Sequence, residues 1–235
     1  MYYNKYDFYN CPKCHQKYAV LNCASQNGIG VNIYSDGKAY GQMLDDSIDI
    51  LKCRVCENVF WLREANYNSS MPIKKINEFP QKDSIEQNSY TDVLKIDDLF
   101  EFIREGHAKN RDEEFYIRQN ILWMYNDRFR ANLAVFQSKK DKKHWKQNLL
   151  RLLILLQDSD YDQLLKAEIH RYLGDFKNCI KTLDDIKDEE NMKAKHKIID
   201  ACNQKNKYVI KIVTGNSFFK TILNEKDEVC IASIN

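Results

Sequence analysis

Two Cys-x-x-Cys motifs with thirty-eight residues between them, a hairpin signal inside that interval and helical periodicity from residue 93 onward predict an α+β chain. The expected architecture is a small three-stranded N-terminal sheet followed by an all-α region of helical hairpins. The chain has 235 residues, 43% of them hydrophobic, which is enough for one large or two small domains with a real core. Three prolines and seven glycines favour continuous regular structure over a loop-rich scaffold. The longest apolar run, Leu152 to Leu156, falls far short of the ~20 residues of a membrane span. The first residues, Met1-Tyr2-Tyr3-Asn4-Lys5, lack the apolar segment of a secretion signal. A cytoplasmic location with no membrane partner is the expectation.

The N-terminal element covers residues 1–64. Its first knuckle is Cys11-Pro12-Lys13-Cys14 and its second Cys53-Arg54-Val55-Cys56. In a chain without a secretion signal, paired spacing of this kind points to metal binding rather than disulfides. Each Cys-x-x-Cys turn brings two thiolates to one side of a loop, and two such turns complete a tetrahedron of soft ligands. Four protein ligands leave no open position, so one structural Zn²⁺ per chain is expected, bound by Cys11, Cys14, Cys53 and Cys56. Its binding energy is folding energy, which a thin sheet of this size needs. Between the knuckles, Asp36-Gly37 separates two β-leaning runs, Gly28 to Tyr34 and Ala39 to Leu44, and predicts a two-residue type I′ hairpin. Ile48 to Lys52 supplies a third strand, and Phe60-Trp61 after the second knuckle can cover the sheet. Knuckle, hairpin, strand, knuckle is the layout of a zinc ribbon. His15 and Glu57 occupy positions where such knuckles often carry Gly. His15 is read as a turn residue and Cys23 as a small buried or edge residue, each with metal ligation as the alternative reading.

Residues 65–92 are rich in Asn, Ser, Gln and Lys, contain Pro72 and Pro80 and lose hydrophobic periodicity, which predicts a linker tacked down by Ile73, Ile76 and Phe79. Helices are expected across 93–205. The first begins after Asp97 and closes at Gly106, and the second runs from about Asp112 to Asn126 with acidic residues at its positive end. The third runs from about Lys143 to Gln157, where the leucine run around Arg151 predicts burial on more than one side. Tyr161 to Leu173 and Asp175 to Ile186 form an antiparallel pair joined at Gly174, and Asn191 to Cys202 caps the stack. In the tail, 206–235, Tyr208 to Val213 is strand-like, Phe218 to Leu223 a helical turn and Val229 to Ala232 a short strand. Its apolar content predicts docking.

Charge narrows the classes of partner. The net charge is +2, and residues 1–64 carry seven basic and seven acidic side chains. Four thiolates on one Zn²⁺ add two negative charges, so the ribbon is a poor electrostatic match for a phosphate backbone. The basic cluster at residues 139–146, Lys139 to Lys146 with Trp145 inside it, can hold RNA or an acidic tail through lysine contacts and stacking on Trp145. The alternative is a solvated helix start with Trp145 turned inward. No catalytic motif is found, and none of the five histidines has an i, i+4 partner.

The stretch Ala167 to Leu183, with Gly174, Asp175 and Phe176 at its turn and Cys179 where the family carries Ala, resembles one tetratricopeptide unit. Together with the knuckles, the Tyr34 to Lys38 hairpin and Phe60-Trp61, it resembles a group of uncharacterised bacterial proteins that join a zinc ribbon to tetratricopeptide-like helices. The resemblance implies a groove for a peptide or protein partner and no assigned reaction. The expected function is therefore a non-enzymatic, zinc-binding adaptor, with nucleic-acid binding as the alternative and an enzyme third.

Overall fold

The computed structural model describes residues 2–28, 30–41, 43–45, 47–73 and 91–214. In chain order the elements are β1 (Tyr2–Asn10), β2 (Lys17–Ser25), β3 (Asn32–Tyr34), β4 (Ala39–Tyr40), β5 (Ile50–Lys52), β6 (Val59–Trp61), a 3₁₀ turn (Leu62–Glu64) and β7 (Asn66–Pro72). Helices α1 (Ile96–Arg104), α2 (Arg111–Arg130), α3 (Lys139–Leu155), α4 (Asp160–Leu173), α5 (Phe176–Asp184) and α6 (Glu189–Asn203) follow, and β8 (Lys211–Thr214) comes last. The chain is thus α+β, with small antiparallel sheets and six helices among the described residues. It divides into two compact units: residues up to 29 and from 41 to 107 in one, 30–40 and 108–215 in the other.

In the first unit the sheet order is β2-β1-β7, and β5 pairs with β6 as a separate hairpin. The tyrosine-rich start of the chain forms β1, because aromatic side chains suit a half-buried pleated surface. It pairs antiparallel with β2 in a register that sets Tyr9 opposite Tyr18 and Asn10 opposite Lys17. The first knuckle closes that hairpin, and the second closes the β5-β6 hairpin beyond the Lys52 and Val59 pair. Strand β7 lies at an edge, exposed and polar, and ends on Pro72, whose missing N–H matters little there. Helix α1 packs Phe102 edge-on against Trp61, with ring centroids 5.7 Å apart. Lys52 pairs with Asp98 at 3.0 Å.

Three expectations change here. A three-stranded sheet is present, but β1, β2 and β7 build it, and Asn66–Pro72 belongs to that sheet instead of a linker. The hairpin between the knuckles lies in the second unit, as β3-β4, where β8 pairs with the free edge of β3. Its loop is not a two-residue type I′ turn. Tyr34 N–H bonds to the Lys38 carbonyl at 3.0 Å across Ser35-Asp36-Gly37, and among these only Gly37 is left-handed, at φ 78°. That is the three-residue loop with glycine at its last position. The expected docking segments at Ile76, Phe79, Phe218 to Leu223 and Val229 to Ala232 lie outside the described residues.

The helices of the second unit start on side-chain caps. Asn110, Ser138, Ser159, Asp175 and Asp188 each accept from a backbone N–H in the first turn. Gly174, at φ 83°, ends α4 so that Asp175 N–H reaches the His170 carbonyl at 2.8 Å and the chain turns back into α5. Helix α3 differs from expectation. It buries one face, through Trp145, Asn148, Leu149, Leu152 and Leu155, and leaves Leu150 and Ile154 45% and 70% exposed. Its leucine run is longer than the face its neighbours cover.

The hairpin explains why the second unit needs residues 30–40. Asp36 is fully buried and accepts from Asn126 Nδ2 at 2.7 Å and Lys38 N–H at 3.1 Å, and it forms an ion pair with Arg130. Its backbone carbonyl accepts from Trp123 Nε1 at 3.0 Å. Beside it, Arg171 and Glu168, both fully buried, pair on α4, and Arg171 donates to the carbonyls of Asn206 and Tyr208 at 2.6 and 2.8 Å. A β-carbon on Gly37 would stand 2.6 Å from Tyr161 Oη, so any other residue there would have to displace the Tyr161 ring and hold a left-handed backbone.

Candidate metal centre

The two knuckles are built alike. Cys11 N–H bonds to the Gln16 carbonyl (2.8 Å) and His15 N–H to the Cys11 carbonyl (3.0 Å). Cys53 N–H bonds to the Asn58 carbonyl (2.9 Å) and Glu57 N–H to the Cys53 carbonyl (2.9 Å). Both turns close through a left-handed residue, His15 at φ 60° and Glu57 at φ 56°. This is the position where glycine costs least. Backbone amides also aim at sulfur, with Lys13 N–H 3.4 Å from Cys11 Sγ and Cys56 N–H 3.4 Å from Cys53 Sγ.

These turns bring all four expected ligands together, with every sulfur of Cys11, Cys14, Cys53 and Cys56 within 4.8 Å of the others. The Cys11–Cys56 and Cys14–Cys53 sulfur separations are 3.8 and 3.5 Å. Zn–S bonds of ~2.3 Å arranged tetrahedrally require sulfurs about 3.8 Å apart, so the donor set and its spacing fit that ion. Cys11 and Cys53 are buried, Cys56 is partly buried and Cys14 is exposed. His15 and Cys23 stand outside the group. His15 is an exposed turn residue, and the Cys23 thiol contacts the Ser25 carbonyl at 3.4 Å.

One side chain that hydrogen-bonds to these sulfurs carries no motif signal. Tyr18, 1% exposed, donates from Oη to Cys53 Sγ at 2.8 Å, and its oxygen accepts from Arg54 N–H at 3.2 Å. Cys11, Tyr18, Cys53 and Phe60 form one small core, with Leu51, Cys56 and Ala65 against it. Burial alone would push the Cys53 thiol up. The Tyr18 hydroxyl and the Cys56 and Val55 amides outweigh it and bring the thiol down to about 6. Burial pushes the Tyr18 hydroxyl the other way, well above its ordinary value. The only signal in the sequence is position: Tyr18 is the second residue of β2, the strand that leaves the first knuckle.

The basic cluster is placed differently from the cysteines. Lys139, Lys140, Lys142, Lys143 and Lys146 are exposed on the first turns of α3. Trp145 turns inward, edge-on to Tyr125 with ring centroids 5.0 Å apart and 5.9 Å from the ring of Tyr172. It is unavailable as a stacking platform. His170 is partly buried 3.6 Å from Asp175, and His196 is an exposed helix-surface residue. Among the described residues no helix is long and apolar enough to cross a membrane. No family model matches this chain, and no curated protein or solved structure is found to be similar to it.

Proposed function

We propose that Cys11, Cys14, Cys53 and Cys56 hold one structural Zn²⁺ per chain in a zinc-ribbon-like module, and that the protein is a non-enzymatic adaptor whose tetratricopeptide-like helices receive a protein or peptide partner. The observation that carries the metal reading is the mutual approach of four cysteine sulfurs from two knuckles with matching backbone hydrogen bonds. With four thiolates bound, no coordination position is left for substrate or water, so the ion acts as a folding staple for a unit whose own core is thin. The adaptor reading draws on the helical hairpin α4-α5 and its Gly174 turn. Since the Ser35 to Lys38 loop packs on α2 and α4, a partner is received on another helical face.

Elemental analysis of the purified protein is expected to give one zinc per chain, and Cys11→Ser combined with Cys53→Ser none. Full zinc stoichiometry in that double variant would falsify the assignment. For the adaptor, a pull-down from native extract is expected to recover a reproducible protein partner, and its repeated failure counts against this part of the reading. The five exposed lysines on α3 favour nucleic acid as the second reading. Affinity for RNA or DNA that falls steeply with salt, and falls again on replacing Lys142 and Lys143, identifies that case.

A further inference from the structure

We propose that Tyr18 is a positioning residue of the metal centre, whose hydroxyl donates to the Cys53 thiolate and removes part of its charge. The inference rests on the metal reading above and goes beyond the four ligands. Four thiolates around a divalent cation carry two surplus negative charges in a partly buried site, and each donor aimed at sulfur lowers the cost of keeping them there. Cys11 draws such a donor from its own knuckle, the Lys13 amide at 3.4 Å. Cys53 receives the Cys56 amide of its own knuckle at 3.4 Å and, in addition, a side-chain hydroxyl at 2.8 Å.

Three features fix the direction of that hydroxyl proton. The Tyr18 oxygen accepts from Arg54 N–H at 3.2 Å, which occupies one lone pair and leaves the O–H free to aim at sulfur. The ring is 1% exposed, so water does not compete for the bond. Its backbone is held in the β1-β2 ladder opposite Tyr9, and its ring sits in one core with Phe60 and Cys11. A charge-assisted bond held this rigidly requires no reorganisation when the metal binds.

The test is Tyr18→Phe, which removes the hydroxyl and keeps the ring, compared with Tyr67→Phe. The Tyr67 hydroxyl bonds to Ser70 on the edge strand and lies outside the sulfur cluster. Both variants and the parent protein are loaded with Zn²⁺ in competition with a chelator, and separately saturated with Co²⁺ as a spectroscopic probe. In Tyr18→Phe we expect Zn²⁺ affinity to fall 10- to 100-fold, the range for loss of a partner bonded to a ligand. The sulfur-to-cobalt charge-transfer band should move to longer wavelength, because a thiolate that has lost a donor gives up an electron more easily. Tyr67→Phe should match the parent in both.

The band position at saturating Co²⁺ is read only from metal-loaded protein, so a loss of stability does not mimic the shift. An unchanged band in Tyr18→Phe overturns the proposal even if affinity falls, since the ring or the fold would then account for the loss. A parent protein that binds neither ion overturns the metal reading itself and this inference with it.

Discussion

Glu114 on α2 offers a sharp test of how the helices of the second unit are held together. Its carboxylate accepts from Arg118 Nε at 2.7 Å on its own helix and from Arg151 Nε and Nη2 at 2.8 and 2.7 Å on α3. The bidentate bond from Arg151, with burial opposing it and Arg118 assisting, holds the carboxyl well below its ordinary value of 4.5, at about 2. A folded-state value below the unfolded one stabilises the fold above the unfolded value and loses that contribution as pH falls. The window is therefore pH 4.5 down to about 2. At ~1.4 kcal/mol per unit the shift corresponds to on the order of 3 kcal/mol. Because the Arg151 side chain is 44% exposed, solvent screening reduces this, and about 2 kcal/mol is expected at pH 7. Glu114→Gln keeps the shape and removes the charge. Urea unfolding of parent and variant at steps from pH 7 to pH 2.5 should show a difference of about 2 kcal/mol above pH 5 that shrinks toward zero at the acid end. Taking the difference at each pH cancels groups common to both proteins, the cysteine thiolates included. A difference that stays constant with pH, or is below about 0.5 kcal/mol at pH 7, refutes the reasoning.

Other positions give independent checks. His15→Gly and Glu57→Gly relieve left-handed backbone at φ 60° and 56°, and each should strengthen zinc binding by about 0.5–1 kcal/mol after the entropy of glycine is subtracted, measured by chelator competition. Asp36→Ala leaves Arg130 with Asp127 alone and strands the Asn126 amide, so urea unfolding should report a loss of about 3 kcal/mol. Replacing Trp145 with Ala should cost about 3–5 kcal/mol, whereas Ile154→Ala should cost less than about 0.5 kcal/mol, because the first is buried among aromatic rings and the second faces outward from the same helix. Equal losses at the two positions would mean that α3 is covered on both sides.

What could be read ahead of the fold was local. The four-cysteine cluster was legible because Cys-x-x-Cys is a turn of fixed geometry, and each of its pairs closes within six residues of chain, from Cys11 to Gln16 and from Cys53 to Asn58. The helices were legible for the same reason. A capping Ser159 or Asp175 and a left-handed Gly174 act within one turn of helix, so residue type and spacing suffice. Even the error at Asp36-Gly37 was confined to the kind of turn. A hairpin forms there, with one residue more in its loop.

Whatever depended on which surface meets which was decided by tertiary structure. Nothing in Tyr2 to Asn10 reveals that this strand will be the centre of a sheet between β2 and β7, because β7 lies some sixty residues away and reads as a polar linker. The leucines of α3 announce burial but not how much of it, since the number of neighbouring elements, not the helix itself, sets how wide a face is covered. The hairpin between the knuckles joins the helical unit because Asp36 finds Arg130 and Asn126, and Ser35 N–H finds the Ile210 carbonyl at 2.9 Å. Those partners are ninety or more positions away in the chain. Cysteine spacing thus determined the four-cysteine cluster, through turns that close on themselves. The fold alone decided that the Tyr18 hydroxyl would meet Cys53 Sγ and that residues 30–40 would join the second unit, since both depend on contacts that spacing along the chain does not encode.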